Sequence, residues 1–420
     1  MKKVELLSPA GNFEKLKIAL AYGADAVYGG VSHFSLRLRS GKEFDYDSFE
    51  EAVKYTHSFG KKIYVTVNGF PFNSQIELLK KHIEKMAKME PDAFIVAAPG
   101  VIKLAKQIAP HIPVHLSTQA NVLNYLDAEV YWNLGVRRVI AAREVSLKDL
   151  KKIKEHLPDL ELEIFVHGSM CFAYSGRCLI SSVQSGRVSN RGSCANDCRF
   201  PYTLYAKNEE NGTLFKIEED DNGTHIMNAK DLNLSSYVKD ILDTGVIDSL
   251  KIEGRTKSVY YVGITTRTYR RAIDDYYSDR FDAKEYEREL NTTKNRGFSD
   301  GYLVKRPYEK SDTQNLEHSI SEGTHQVFAM VCEDKNSCLA KDKLEPDTEY
   351  ELILPGDFEP KEIENEFGII YSKDGKWYIK FNKLESLKGK IYQSIHSGNE
   401  NGIKLPESLP AFTFLRKGIV

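Results

Sequence analysis

From residue 1 to about 255 the chain alternates short apolar runs, rich in β-branched residues, with longer segments whose apolar positions recur every three or four residues. The runs are 4–11, 25–31, 62–68, 93–99, 114–119, 138–145, 162–168 and 249–254. Neither face of these runs is consistently polar, which is the pattern of strands covered on both sides in a parallel sheet. The segments between them carry helix punctuation. Segment 12–23 opens on Asn12, has Glu14 in its first turn and stops at Gly23; segment 47–60 opens on Asp47 or Ser48 and stops at Gly60. Segments 75–88 and 145–157 are helical by spacing. Eight strand–helix rounds over roughly 250 residues predict an α/β fold, a TIM-type (β/α)8 barrel. A doubly wound open sheet is the competing architecture, but no Gly-rich dinucleotide turn follows the first strand.

The rhythm breaks after the seventh run, where an insertion at 169–248 precedes the eighth. Loops that follow barrel strands build the active sites of such folds, so this insertion is expected over the barrel mouth. Its acidic, turn-rich part, 208–225, predicts a protruding β-hairpin. Segment 258–279 predicts the last barrel helix, closing a barrel domain of 1–280. A charged linker is expected over 281–324, and short alternating strands over 325–420 predict a small all-β, barrel-like domain.

Composition changes this picture little. Across 420 residues, 41% hydrophobic and 28% charged residues suit a globular chain, and a net charge of -2 argues against wholesale polyanion binding while leaving local basic patches open. No apolar stretch approaches the roughly 20 residues of a membrane span, and the start MKKVELLSPAG does not read as a signal peptide. A cytoplasmic protein with reduced thiols is expected, and no membrane partner.

Four of the six cysteines do change it. Cys171, Cys178, Cys194 and Cys198 crowd one window with spacing Cys-x6-Cys-x15-Cys-x3-Cys. Four thiolates can close a zinc site or hold an iron–sulfur cluster. The x3 pair suits a zinc knuckle and the x6 pair does not; four buried thiols without metal are the plain alternative. Arg177, Arg187, Arg191 and Arg199 face a single acid, Asp197, in this window, as charges that offset a thiolate cluster, meet phosphates or are simply solvated. The role of Cys332 and Cys338 is not legible.

The segment EIFVHGSMCFAYSGRCLIS (163–181) resembles the signature of the peptidase U32 family, as do the N-terminal ELLSPAGNFEKLKIALAYGADAVYGG and the stretches at 191–199, 227–232 and 295–303. The resemblance implies two activities. One is collagenase-like proteolysis of a collagen-like peptide. The other is prephenate-dependent hydroxylation of the tRNA wobble uridine to 5-hydroxyuridine, with related members hydroxylating a quinone precursor. In the hydroxylating relatives a 4Fe–4S cluster sits on four cysteines, which here would be Cys171, Cys178, Cys194 and Cys198. Zinc is the alternative occupant.

Residue chemistry bears on the choice. No H-E-x-x-H, G-x-S-x-G or familiar Cys–His context is present, although His167 lies four residues before Cys171. Ser8, Asn68, Gln119, Arg143, His167, Glu253 and Arg255 fall at or just past the ends of predicted strands. Of these, His167 and Glu253 are candidate catalytic groups. Arg143 and Arg255 are candidates to clamp a small dicarboxylate such as prephenate, with ordinary ion pairs to Glu144 and Glu253 as the plain reading. Tyr28 and Tyr64 read as core. Segments 251–258 and 266–272, with Tyr269 among the arginines, are candidate tRNA contacts or a solvated helix face. The β-domain reads as an RNA-docking or protein-interaction unit. A non-catalytic Fe–S subunit docking a partner hydroxylase is a further reading.

Overall fold

The structure, a computed structural model, describes residues 3–31, 34–35, 43–171, 173–178, 180–185, 187, 194, 197–199, 204–212, 214–217, 229–304, 307, 310–313, 315 and 322–419. Seven strands come first: β1 Glu5–Pro9, β2 Ala26–Gly29, β3 Lys62–Val67, β4 Ala93–Val96, β5 Val114–Leu116, β6 Arg138–Ile140 and β7 Glu161–Ser169. A hairpin (β8 Leu204–Lys207, β9 Leu214–Ile217) and a short β10, Asp231–Asn233, precede β11, Ser249–Ile252. Strand β11 pairs in parallel with both β1 (Glu5 opposite Ser249) and β7 (Ile164 opposite Leu250), which closes the expected eight-stranded barrel.

The helices are α1 Phe13–Ala21, α2 Tyr46–Ser58, α3 Ile76–Ala87, α4 Pro99–Ile108, α5 Tyr125–Asn133, α6 Leu147–His156, α7 Ile180–Ser185, α8 Val238–Asp243, α9 Val259–Tyr277 and α10 Ala283–Leu290. Local chemistry sets their ends. Asn12 caps α1 by accepting from the Lys15 N–H. Helix α2 starts earlier than Asp47: the Asp45 carboxylate accepts from Ser48 N–H while Ser48 Oγ–H returns to Asp45, a reciprocal cap that a helical pattern alone does not display.

Strand alternation gives the barrel two faces. Outward residues such as Leu6, Val27, Val65 and Leu250 pack beneath the helices. Inward, the layer nearest the strand starts is charged: Arg138 meets Glu5 at 2.6 Å, Glu161 at 2.9 Å and Glu163 at 3.0 Å. Above it lies an apolar layer of Leu7, Tyr28, Ile95, Ile140 and Phe165. Tyr64 joins both, buried, with its hydroxyl donating to Glu5.

Strand β7 outruns the barrel. Its last residues pair antiparallel with β10, which pairs in parallel with β12, Phe298–Ser299, adding two strands beside the mouth. The stretch 281–324, expected as a linker, thus holds α10, packed on α9, and β12. The predicted hairpin over 208–225 is seen as β8–β9 at 204–217; residues 218–225 lie outside the described residues.

Beyond residue 324 an antiparallel sheet of eight strands forms the expected β-domain, with a core of its own that includes Cys338, Ile379 and Phe381. Its last strand, Phe414–Gly418, also completes the barrel's outer core. Phe414 stacks on Tyr22 at 5.5 Å, and the Tyr22 hydroxyl donates to the Ile353 and Phe412 carbonyls. Arg416, buried, joins Glu289 of α10 to Glu351 at 2.7 and 2.9 Å.

Candidate functional site at the barrel mouth

A cleft of about 820 Å3, counted to its opening, lies over the C-terminal ends of the strands. Its floor is the apolar inner layer, where Tyr28, Ile95, Ile140 and Phe165 surface. Its walls are polar. Five of the seven residues expected at strand ends line it: Asn68, Gln119, Arg143, Glu253 and Arg255.

The two arginines are held differently from the neighbours in sequence. Arg143 pairs with Glu253 at 2.6 Å, not with Glu144, and its guanidinium lies 4.2 Å over the Phe165 ring. Glu144 instead accepts from the Ser175 N–H at 3.1 Å, tying the start of the insertion down. Arg255 pairs with Glu43 at 3.0 Å, not with Glu253, and donates to Ser35 and Thr66. Glu43 lies in the loop before α2, too far along the chain for spacing to suggest it.

Lys251 figured in the sequence only as part of the positive segment 251–258, not as a cleft residue. It is a cation in a short buried strand, Ser-Leu-Lys-Ile, and that was the available signal. Its ammonium pairs with buried Glu163 at 2.9 Å and lies 4.3 Å over the Tyr28 ring, at the cleft floor. Burial pulls its pKa down, with Glu163 opposing.

Ser8 and His167 do not line the cleft. Ser8 points outward and shares a 2.6 Å hydrogen bond with Thr266 of α9. For His167 the cause is a bulge. Phe165 pairs with Lys251 but His167 pairs with Ile252, so Val166 is one residue too many on β7 and the alternation flips. Phe165 therefore faces the cleft while His167 turns to the outer layer, among the rings of Tyr261, Tyr269 and Phe298. Burial holds its pKa down at about 3, so it is neutral there. The strand stays close to β11 past the bulge because Gly168, at φ +117°, has no side chain; a Cβ would stand 2.6 Å from the Glu253 carbonyl oxygen.

The insertion brings Cys171 to the cleft wall. Cys171, Cys178, Cys194 and Cys198 are all unbridged. Their donor chemistry, four thiols in one window, fits a thiolate-held cluster. Among the described residues, no three His, Cys, Asp or Glu side chains converge on a point where a metal could sit. Arg177 is exposed, Arg187 half-buried and Asp197 buried; Arg191, the Arg199 side chain, and residues 227 and 228 of the 227–232 motif lie outside the described residues. Tyr269 is buried against β7, its hydroxyl donating to the Val166 carbonyl, so it is no surface contact for RNA.

Residues 11–313 match the model of peptidase family U32. The chain belongs to that family. It is 59% identical over 417 residues to tRNA hydroxylation protein P of Helicobacter pylori, which covers 99% of both chains and so includes the β-domain. It is 34% identical over 280 residues to a 23S rRNA 5-hydroxycytidine synthase of Escherichia coli, covering 67% of this chain and 41% of that one. It is also 32% identical over 313 residues to a collagenase of Porphyromonas gingivalis, covering 71% and 73%. Among the described residues no helix is long and apolar enough to cross a membrane.

Proposed function

We propose that this chain is an enzyme that hydroxylates the wobble uridine of tRNA to 5-hydroxyuridine, taking oxygen from prephenate, with a 4Fe–4S cluster on Cys171, Cys178, Cys194 and Cys198. The observation that carries the reading is the end-to-end identity of 59% to a protein named for tRNA hydroxylation.

The cleft suits the two ligands this requires. Arg143 and Arg255 stand on its wall as candidate carboxylate clamps. Each has a resident carboxylate, but a guanidinium carries five N–H donors and can take a second acceptor beside the first. Phe165 and Tyr28 give the floor aromatic surface against which a flipped base or a small ring can lie. Glu253 is oriented by its ion pair with Arg143 on the cleft wall, so it is placed to accept a hydrogen bond from a ligand there. When bound, the cluster would supply electron transfer.

Peptide hydrolysis has the collagenase relative in its favour. A Cys171–His167 pair does not serve it, since Cys171 lies on the cleft wall and His167 behind the strand. Deleting the gene and measuring tRNA nucleosides by mass spectrometry tests the choice: loss of 5-hydroxyuridine derivatives, restored by the wild-type gene, is expected. Unchanged derivatives together with lost gelatin cleavage would establish the peptidase instead; unchanged derivatives with an intact cluster and a bound partner would fit the docking subunit. Anaerobic purification with iron and zinc determination tests the cluster separately.

A further inference from the structure

A second concavity, about 760 Å3 counted to its opening, separates α9 and α10 from the β-domain. Both domains line it. Its cations are Arg267, Arg271, Arg288, Lys376 and Arg416, against the carboxylates of Glu285, Glu289 and Glu351. Three of the cations are matched: Arg416 by Glu289 and Glu351, Lys376 by Glu351 at 2.9 Å, and Arg271 by Glu285 at 2.6 Å. Arg267 and Arg288 have no carboxylate within 4.0 Å among the described residues. The lining carries five positive charges against three negative, and Asp275, 3.4 Å behind Arg271, leaves a surplus of one. Arg267 is half-buried, so water cannot fully solvate its guanidinium; it acts on Glu289 only through space, with no carboxylate in contact, and such a charge favours an anion. Trp377, also half-buried, adds an indole face to the lining.

We propose that this groove binds the phosphodiester backbone of RNA, with Arg267 and Arg288 each taking a phosphate and Trp377 offering its ring to an unpaired base. The inference rests on the tRNA reading above and adds where the RNA is gripped. A guanidinium fork fits a phosphate, and aromatic side chains stack unpaired bases without regard to sequence. Ser258, the cap of α9, directly follows the cleft loop, and Arg267 lies about 13 Å further along that helix at 1.5 Å per residue. One RNA can thus lie along the flank of the barrel and still reach the mouth.

The test is tRNA binding by the full-length protein, read by fluorescence anisotropy between about 50 and 200 mM salt. In the Arg267→Gln/Arg288→Gln variant, affinity should fall at least tenfold, and the slope of log affinity against log salt should flatten by about 1 to 2. The exposed Arg288→Gln alone should give roughly half the slope change with an unaltered melting temperature, which keeps the test valid if the double variant folds poorly. Unchanged affinity and slope overturn the proposal, as does loss of polyglutamate binding with tRNA binding intact. Nucleoside analysis in the complemented deletion strain is a separate readout. Intact 5-hydroxyuridine with unchanged tRNA binding in the variant sinks the groove alone, whereas no gene-dependent 5-hydroxyuridine sinks the function itself.

Discussion

Two arginines five residues apart, Arg138 and Arg143, illustrate how this barrel divides its work. Arg138 sits within β6 in the inner charged layer, 4% exposed, with Glu5, Glu161 and Glu163 around it. Burial alone would raise the Glu5 carboxyl, yet Arg138, helped by Tyr64, holds it below the ordinary carboxylate range. Arg143 lies just past the strand, paired with Glu253 and laid over the Phe165 ring, with an open cleft beside it. A guanidinium enclosed by three acids has nothing left to offer a ligand. One on the wall of an open cleft, at the end where barrel loops bind substrates, does.

The largest effect that would test this division is on stability. Arg138→Met should leave Glu5 without its close partner beside Glu161 and Glu163, which keep Arg137 and Lys251, and cost about 3 kcal/mol in urea unfolding. A loss under about 1 kcal/mol would mean that water reaches that layer.

Acid should expose the next difference. Folded His167 has a pKa of about 3 against the ordinary value of 6.5, so between those values the unfolded chain binds the extra proton. Stability from this residue is therefore complete above about pH 6.5 and declines as pH falls, at up to about 1.4 kcal/mol per pH unit. His167→Gln should flatten that acid limb; a hydroxylation or peptidase pH profile that moves with it instead would return His167 to the catalytic candidates.

Arg143→Gln should lower 5-hydroxyuridine in vivo by roughly tenfold, the equivalent of about 1.4 kcal/mol, while costing less stability than Arg138→Met. Arg137 completes the series. It neighbours Arg138 but faces outward, 53% exposed, and meets Glu161 at 3.4 Å. Arg137→Ala should change the unfolding free energy by less than about 1 kcal/mol.

The barrel was legible because its strands are covered on both faces and its helices are punctuated at their ends; each of the eight apolar runs contains the core of an observed strand. Asn68, Gln119, Arg143, Glu253 and Arg255 were legible as cleft residues because strand ends alone place them. Other features depend on pairing across the fold. The extra Val166 that turns His167 away is visible only against β11, and Glu43 meets Arg255 from more than 200 residues upstream. Strands β10 and β12 are three and two residues long, below the length at which alternation is readable. That Lys251 and Glu163 answer each other was not legible, because they lie 88 residues apart.

At Gly263, in the second turn of α9, even a methyl group would come within 2.6 Å of Phe414 in the final strand. Helix and sheet meet there with no slack for sliding. The two lobes therefore work as a caliper locked at one setting, and a molecule long enough to touch both must match its span to theirs.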